Sequence, residues 1–153
     1  MLKSRLFFVV FLSVIISSCS SEETLTPEQE NQKIEEYISS KKLTVTEKTS
    51  FGLRYILTKA NTAGVKVVKG QTIYVNYAGR LLTDKQFDAG NFSFVLGSGG
   101  AIAGFEEGIT KMKIGEKATL IFPSSLGYGS RGSGSSIPGY SPLVFDIEVI
   151  SAK

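Results

Sequence analysis

Between two stretches of alternating apolar residues lies a short segment with a different period. It runs Gly99-Gly100-Ala101-Ile102-Ala103-Gly104-Phe105-Glu106-Glu107-Gly108-Ile109. Ile102, Phe105 and Ile109 recur at helical spacing, and the glycines at 99, 100, 104 and 108 leave room for no more than about two turns of helix. Before it Phe92, Phe94 and Leu96 alternate, and after it Ala118, Leu120 and Phe122 do the same, which is strand periodicity. One apolar face of so short a helix has to be buried, so a strand-rich body must cover it. Phe105 stands at its centre, either as core or as the floor of an apolar pocket.

The 153 residues suit one domain with an attached tail, and an apolar fraction of 42% is ordinary for a globular chain. Formal net charge is +3, but Lys3 and Arg5 supply two of the positives, and from Cys19 onward 15 basic side chains face 14 acidic ones. The basic residues form no stripe and are not interleaved with aromatics, so nucleic acid is not an expected partner. One cysteine and no histidine exclude an internal disulfide framework, His-based zinc sites and a histidine triad.

The first 18 residues read as a targeting segment. Lys3 and Arg5 are followed by Leu6 to Ile16, apolar except for Ser13, a run too short to cross a bilayer comfortably. Ile16-Ser17-Ser18 then places small residues before the lone Cys19, which resembles a bacterial lipobox. In such signals the cysteine becomes the lipidated N-terminus, and two or more chains hold a protein firmly. An ordinary secretory signal and an uncleaved anchor are the alternatives. Ser20-Ser21-Glu22-Glu23 resembles the acidic surface-export signals of Bacteroidetes lipoproteins. The expectation is an anchored envelope protein, in the outer membrane, facing either the periplasm or the surface.

Residues 19–48 are expected to comprise the lipidated end, a polar tether and a short helix. Thr26 can cap, Pro27 fits the first helical position and Gln29 completes a capping box. The helix should run to about Ser40 with a thin apolar face of Ile34, Tyr37 and Ile38. It would serve as a spacer or an edge cover, or else belong to a partly disordered linker. Leu53 to Leu57 reads as a strand and Asn61 to Gly64 as a turn. Gln71 to Leu82 is a clear strand with Ile73, Val75 and Tyr77 on one face, and Gly79 marks a bulge or a close backbone approach. Phe92–Leu96, Lys117–Phe122 and Leu143–Ile150 complete the strands, the last with Leu143, Phe145, Ile147 and Val149 on one side. The stretch 123–141 is a long loop rich in glycine and serine. It lacks the Gly-Lys-Ser/Thr ending of a phosphate cradle.

Taken in order, the motifs resemble the FKBP-type peptidyl-prolyl cis–trans isomerases. The resemblance spans Ser50 to Ile150. It rests on Val75-Asn76-Tyr77-Ala78-Gly79-Arg80-Leu81, Phe87-Asp88-Ala89, Phe94-Val95-Leu96-Gly97 and Ile102-Ala103-Gly104-Phe105-Glu106-Glu107-Gly108. Leu126-Gly127-Tyr128-Gly129, Ile137-Pro138 and Leu143-Val144-Phe145-Asp146-Ile147-Glu148 follow. It implies an α+β fold over residues 49–153, an antiparallel half-barrel sheet wrapped around the short central helix. It also implies a pocket. Tyr77 and Phe87 match its walls, Asp88 its acid, Phe105 its floor and Phe145 an aromatic from the last strand. Ile102 matches the residue whose N–H contacts a bound carbonyl, and Tyr128 the tyrosine whose hydroxyl does the same. Ile137 matches an apolar loop contact, and Phe92 an aromatic at the rim. Only four residues separate Phe87 from Phe92, fewer than in familiar single-domain relatives, so the bulged strand after Asp88 is expected to be trimmed. Ala101 and Ala103 replace larger or charged residues, which implies a less bulky rim and broad specificity.

The implied reaction is rotation about an Xaa-Pro bond in exported, proline-containing polypeptides, by a monomer without cofactor or metal. The bare amide barrier is roughly 18–20 kcal/mol, and uncatalysed turnover takes tens of seconds or more. Rotation needs no nucleophile or proton acceptor. It needs loss of amide resonance, which a dry pocket favours because the twisted amide carries less charge separation than the planar one. Absence of histidine therefore does not weigh against such an enzyme. A non-catalytic peptide-binding or chaperone module and a structural envelope lipoprotein are the other functional classes compatible with the sequence.

Overall fold

The computed structural model describes residues 25–153. The targeting segment and Cys19 lie outside the described residues. The elements in chain order are α1 (Pro27–Ser40), β1 (Glu47–Lys48), β2 (Arg54–Lys59), β3 (Thr72–Leu81), β4 (Gln86–Val95), α2 (Ala103–Ile109), β5 (Lys117–Phe122) and β6 (Leu143–Ala152). The six strands form one open sheet in the order β1-β2-β5-β6-β3-β4, and every neighbouring pair is antiparallel. The α+β expectation holds, with the seven-residue α2 laid against the sheet's inner face.

Alternation along the strands sorts residues between two cores. Tyr55, Leu120, Phe145, Ile73 and Val75 point inward, where they meet Phe105, Ile109 and Met112 around α2. Ile56, Ile121 and Val144, each one residue out of phase, point outward and meet Ile34, Tyr37 and Ile38 of α1. The three-residue apolar face of α1 is thus fully used, and the helix is packed across the outer face of β2, β5 and β6. Its start follows the sequence closely. The Thr26 side chain accepts from the Gln29 N–H, the Gln29 side chain accepts from the Thr26 N–H, and Pro27 opens the first turn.

Glycine sets how closely α2 approaches the sheet. Gly104 and Gly108, four residues apart, share the face turned toward β5. A Cβ at Gly104 would lie 2.6 Å from the Phe122 ring, and one at Gly108 would lie 2.2 Å from Leu120 Cδ1. Both neighbours are fully buried and have nowhere to retreat. The glycines that shorten the helix in sequence terms also let its backbone rest directly on β5.

The sheet departs from expectation at β4. Gln86 to Val95 is one continuous ten-residue strand, whereas the sequence marked a strand only from Phe92. Pairing with β3 carries it past Gly90, a residue that weakens a strand locally but is tolerated opposite Tyr77. A register shift occurs where Gly79 pairs with Asp88 and Arg80 with Gln86, leaving Phe87 as the extra residue. The bulge therefore sits before Asp88.

Gly104→Ala should destabilise the fold. Relieving a helical glycine would contribute up to about 1 kcal/mol, while forcing the Phe122 ring aside costs about 1–3 kcal/mol. A lowered urea midpoint at unchanged slope is the expected result, and a raised midpoint would show that the ring can yield.

Candidate active site

Five strands and loops converge on one cleft of about 430 Å³, lined by Tyr77, Phe87, Asp88, Phe92, Gly99, Gly100, Ala101, Ile102, Phe105, Tyr128 and Phe145. A volume of this order accommodates a prolyl ring and its flanking peptide units. Phe105, 4% exposed, forms the floor. Its ring meets Phe145 edge-on at 5.3 Å, Tyr77 at 6.0 Å and Phe92 at 6.3 Å. Phe87 meets Phe145 edge-on at 5.6 Å. Edge-to-face contacts of this kind hold rings at fixed angles, so the walls are set before any ligand arrives.

Two backbone features bring these rings together. A strand normally sends neighbouring side chains to opposite faces, so Phe87 and Asp88 could not both line one cleft. The bulge at Phe87 re-aims it, and both do. Opposite the bulge, Gly79 has no side chain. A Cβ there would lie 2.6 Å from Phe87 Cε2 and 2.8 Å from Phe145 Cε1. Sequence reading allowed either a bulge or a close approach at Gly79, and the structure contains both.

Asp88 is exposed and sits within β4. Its Oδ2 accepts a 2.6 Å hydrogen bond from the Tyr77 hydroxyl, which fits the role of orienting that tyrosine. The Tyr77 pKa is pushed up to about 12, chiefly by this hydrogen bond, then by burial, the Asp88 charge and the nearby Tyr128. Ile102 lines the cleft immediately before α2 in an extended conformation. Its N–H has no protein acceptor among the described residues. Tyr128, 38% exposed, sits between two 3-10 turns, Ser124–Leu126 and Gly129–Arg131, on the opposite rim. A bound peptide can thus find two donors at the edges of this ring-walled hollow.

Eight of the nine expected pocket residues, Tyr77, Phe87, Asp88, Phe92, Ile102, Phe105, Tyr128 and Phe145, line this cleft. Phe92 does so despite the short spacing from Phe87, because the pairing of Phe92 with Val75 keeps it on the inner face. Ile137 does not line the cleft, which corrects the expectation for that residue. Ser133 and Ile137 exchange backbone hydrogen bonds at 2.8 and 3.2 Å, and the Ile137 side chain is 6% exposed and packed into the main core. Sequence reading also missed the part played by Glu106. The Glu106 carboxylate accepts from the Gly97 N–H at 2.9 Å and the Ala101 N–H at 3.3 Å, tying the Gly99–Ala101 rim to α2.

Comparison with known proteins agrees with this geometry. The profile of the FKBP-type peptidyl-prolyl cis-trans isomerase family matches residues 64–150. The chain belongs to that family. It is 38% identical over 109 residues to FK506-binding protein 2 of Dictyostelium discoideum, covering 68% of this chain and 80% of that one. It is 40% identical over 94 residues to the human peptidyl-prolyl cis-trans isomerase FKBP2, covering 58% of this chain and 66% of that protein. The crystal structure of FkpA from Escherichia coli superposes with a TM-score of 0.70 at 34% identity, covering 82% of this chain and 60% of that chain. This FKBP-type domain is a peptidyl-prolyl cis–trans isomerase. Tyr77, Phe87, Phe105 and Phe145 surround a hollow of the size of a prolyl ring.

Removal of Asp88 should be visible in the tyrosine titration. In the parent, Tyr77 and Tyr55 both titrate near 12, Tyr55 mainly because it is buried. Unfolded tyrosines titrate near 10, so Tyr77's share of stability is full below about pH 10 and is lost as pH rises toward 12. In Asp88→Ala one of the two delayed phenolates should move back toward ordinary values, followed by tyrosinate absorbance. An unchanged titration would remove Asp88 as the cause.

Proposed function

We propose that this isomerase is held at a bacterial envelope by lipid on Cys19 and acts on proline-containing segments of exported polypeptides. The lipid reading is supported by the positive start, the apolar run Leu6–Ile16 and the small residues before the chain's only cysteine. The six residues between Cys19 and the Thr26–Pro27 helix start would let the two ends lie at most roughly 25 Å apart, keeping the domain close to the bilayer. Exported clients follow from that location.

The observation that carries the chemical reading is the aromatic cleft itself, with one acid engaged by Tyr77 and no other charged side chain on its lining. Such a site has little to offer hydrolysis or group transfer. It favours a reaction whose transition state is less polar than its ground state. The open rim left by Ala101 supports tolerance of different residues before proline. The name FK506-binding protein 2, borne by a relative, makes FK506 an expected competitor for the same hollow.

Turnover of a short Xaa-Pro peptide, followed by coupled proteolysis, is the direct assay. The full-length protein should accelerate isomerisation, FK506 should inhibit it, and Phe87→Ala combined with Tyr128→Phe should lower kcat/KM by about 10²-fold or more. Equal rates for variant and parent would dismiss the site, while peptide binding without acceleration would return the non-catalytic reading. Cys19→Ser should move the protein out of the membrane fraction. Normal processing and continued attachment of that variant would defeat the lipid reading.

A further inference from the structure

We propose that Glu30 of α1 is a positioning residue for the active-site loop that carries Tyr128. The family profile begins at residue 64, so α1 precedes the segment by which the enzyme is recognised. Yet α1 reaches the cleft's loop directly. Glu30 is 4% exposed, and both of its carboxylate oxygens are engaged by one residue, Ser124. The Ser124 N–H donates to Oε2 at 2.6 Å and the Ser124 hydroxyl donates to Oε1 at 2.7 Å. Ser124 is itself 4% exposed and opens the 3-10 turn Ser124–Leu126, which ends two residues before Tyr128.

The clamp acts at the loop's root. β5 ends at Phe122, and Pro123 begins the long excursion to β6. The 3-10 turn closes through the Gly127 N–H to the Ser124 carbonyl at 2.8 Å, so the orientation of Ser124 sets where Gly127 and Tyr128 emerge. A buried carboxylate is costly unless its oxygens are satisfied. Here they are satisfied only while Ser124 holds this position, so the carboxylate selects one arrangement of the loop's root. The helix is fixed in turn by Arg54. That fully buried side chain donates to Asn31 Oδ1 at 2.9 Å and to Glu35 Oε1 at 2.7 Å, on the same stretch of α1 as Glu30. The chain of contact is continuous from the sheet through Arg54 to α1, through Glu30 to Ser124, and on to Tyr128.

The alternative reading is that Glu30 serves stability alone, and the two differ in what they predict. Glu30→Ala removes the clamp, whereas in Glu30→Gln the amide oxygen can still accept from the Ser124 N–H and the hydroxyl can turn to accept from the amide. Ile34→Val loosens the same helix without touching Ser124. In the full-length protein, Glu30→Ala should lower kcat/KM for an Xaa-Pro peptide by roughly tenfold and speed amide exchange over residues 124–128. Glu30→Gln should restore both to within about twofold, and Ile34→Val should leave both at parental values. Should Glu30→Ala not fold, Ser124→Ala, which deletes one of the two hydrogen bonds, should show the same direction in both readouts. Parental activity and exchange in Glu30→Ala, or an equal fall in Ile34→Val, would overturn the proposal. Amide exchange reads the clamp without turnover, so failure of the clamp is distinguishable from failure of the isomerase reading.

Discussion

The contact between the glycine face of α2 and β5 governs the rest of the molecule. With Gly104 over the Phe122 ring and Gly108 over the Leu120 side chain, the helix backbone rests on these two side chains of the strand with none of its own between. That depth brings Phe105 level with Tyr77, Phe92 and Phe145, rings supplied by β3, β4 and β6. The consequence reaches further, because Phe122 stacks on Phe145 at 5.8 Å with the planes only 9° apart. The helix, the strand beneath it and the cleft wall form one packed column. Close-packed interiors transmit small displacements, so the floor and wall of the cleft move together or not at all.

The chemistry follows from what this packing excludes. Aromatic rings wall the hollow, polar groups of Gly99, Gly100 and Tyr128 share its lining, and its one acid is engaged with Tyr77. A planar imide entering it loses water that had stabilised its charge-separated form, while the twisted imide loses less. The available donors, the Ile102 N–H and the Tyr128 hydroxyl, stand at the edges, where flanking carbonyls would lie. The two rims are held by carboxylates from different helices. Glu106 of α2 fastens the Gly97–Ala101 side, and Glu30 of α1 fastens the root of the Tyr128 side.

Much of this was readable from residues alone, for reasons that differ by element. The capping box at Thr26 and the alternation of Ile73, Val75 and Tyr77 are local signals, and local signals survive folding. The pocket aromatics were legible through the order of the motifs they sit in. What escaped depends on pairing between distant segments. Gly79 signals a bulge or a close approach, but that Phe87 is the extra residue and turns inward is a property of β3 and β4 together, which nothing within Gln86–Val95 marks. Ile137 was assigned to the cleft because its position in the motif fits, but the Ser133–Ile137 bridge turns its side chain to the core. Glu30 and Glu106 carry no local mark of their function, since their partners lie in loops 94 and nine residues away. The thin apolar stripe of α1 hid how much of the outer sheet face it covers.

The central claim is that one prolyl ring enters the hollow bounded by Tyr77, Phe87, Phe105 and Phe145. Nuclear magnetic resonance of the protein with a short Xaa-Pro peptide tests it most directly. The account predicts upfield ring-current shifts of the prolyl side-chain protons and cross-relaxation between them and these four rings. It also predicts exchange cross-peaks linking cis and trans peptide that appear only when protein is added. Prolyl protons that keep their solution shifts, or that contact the outer face of the sheet instead, would contradict it.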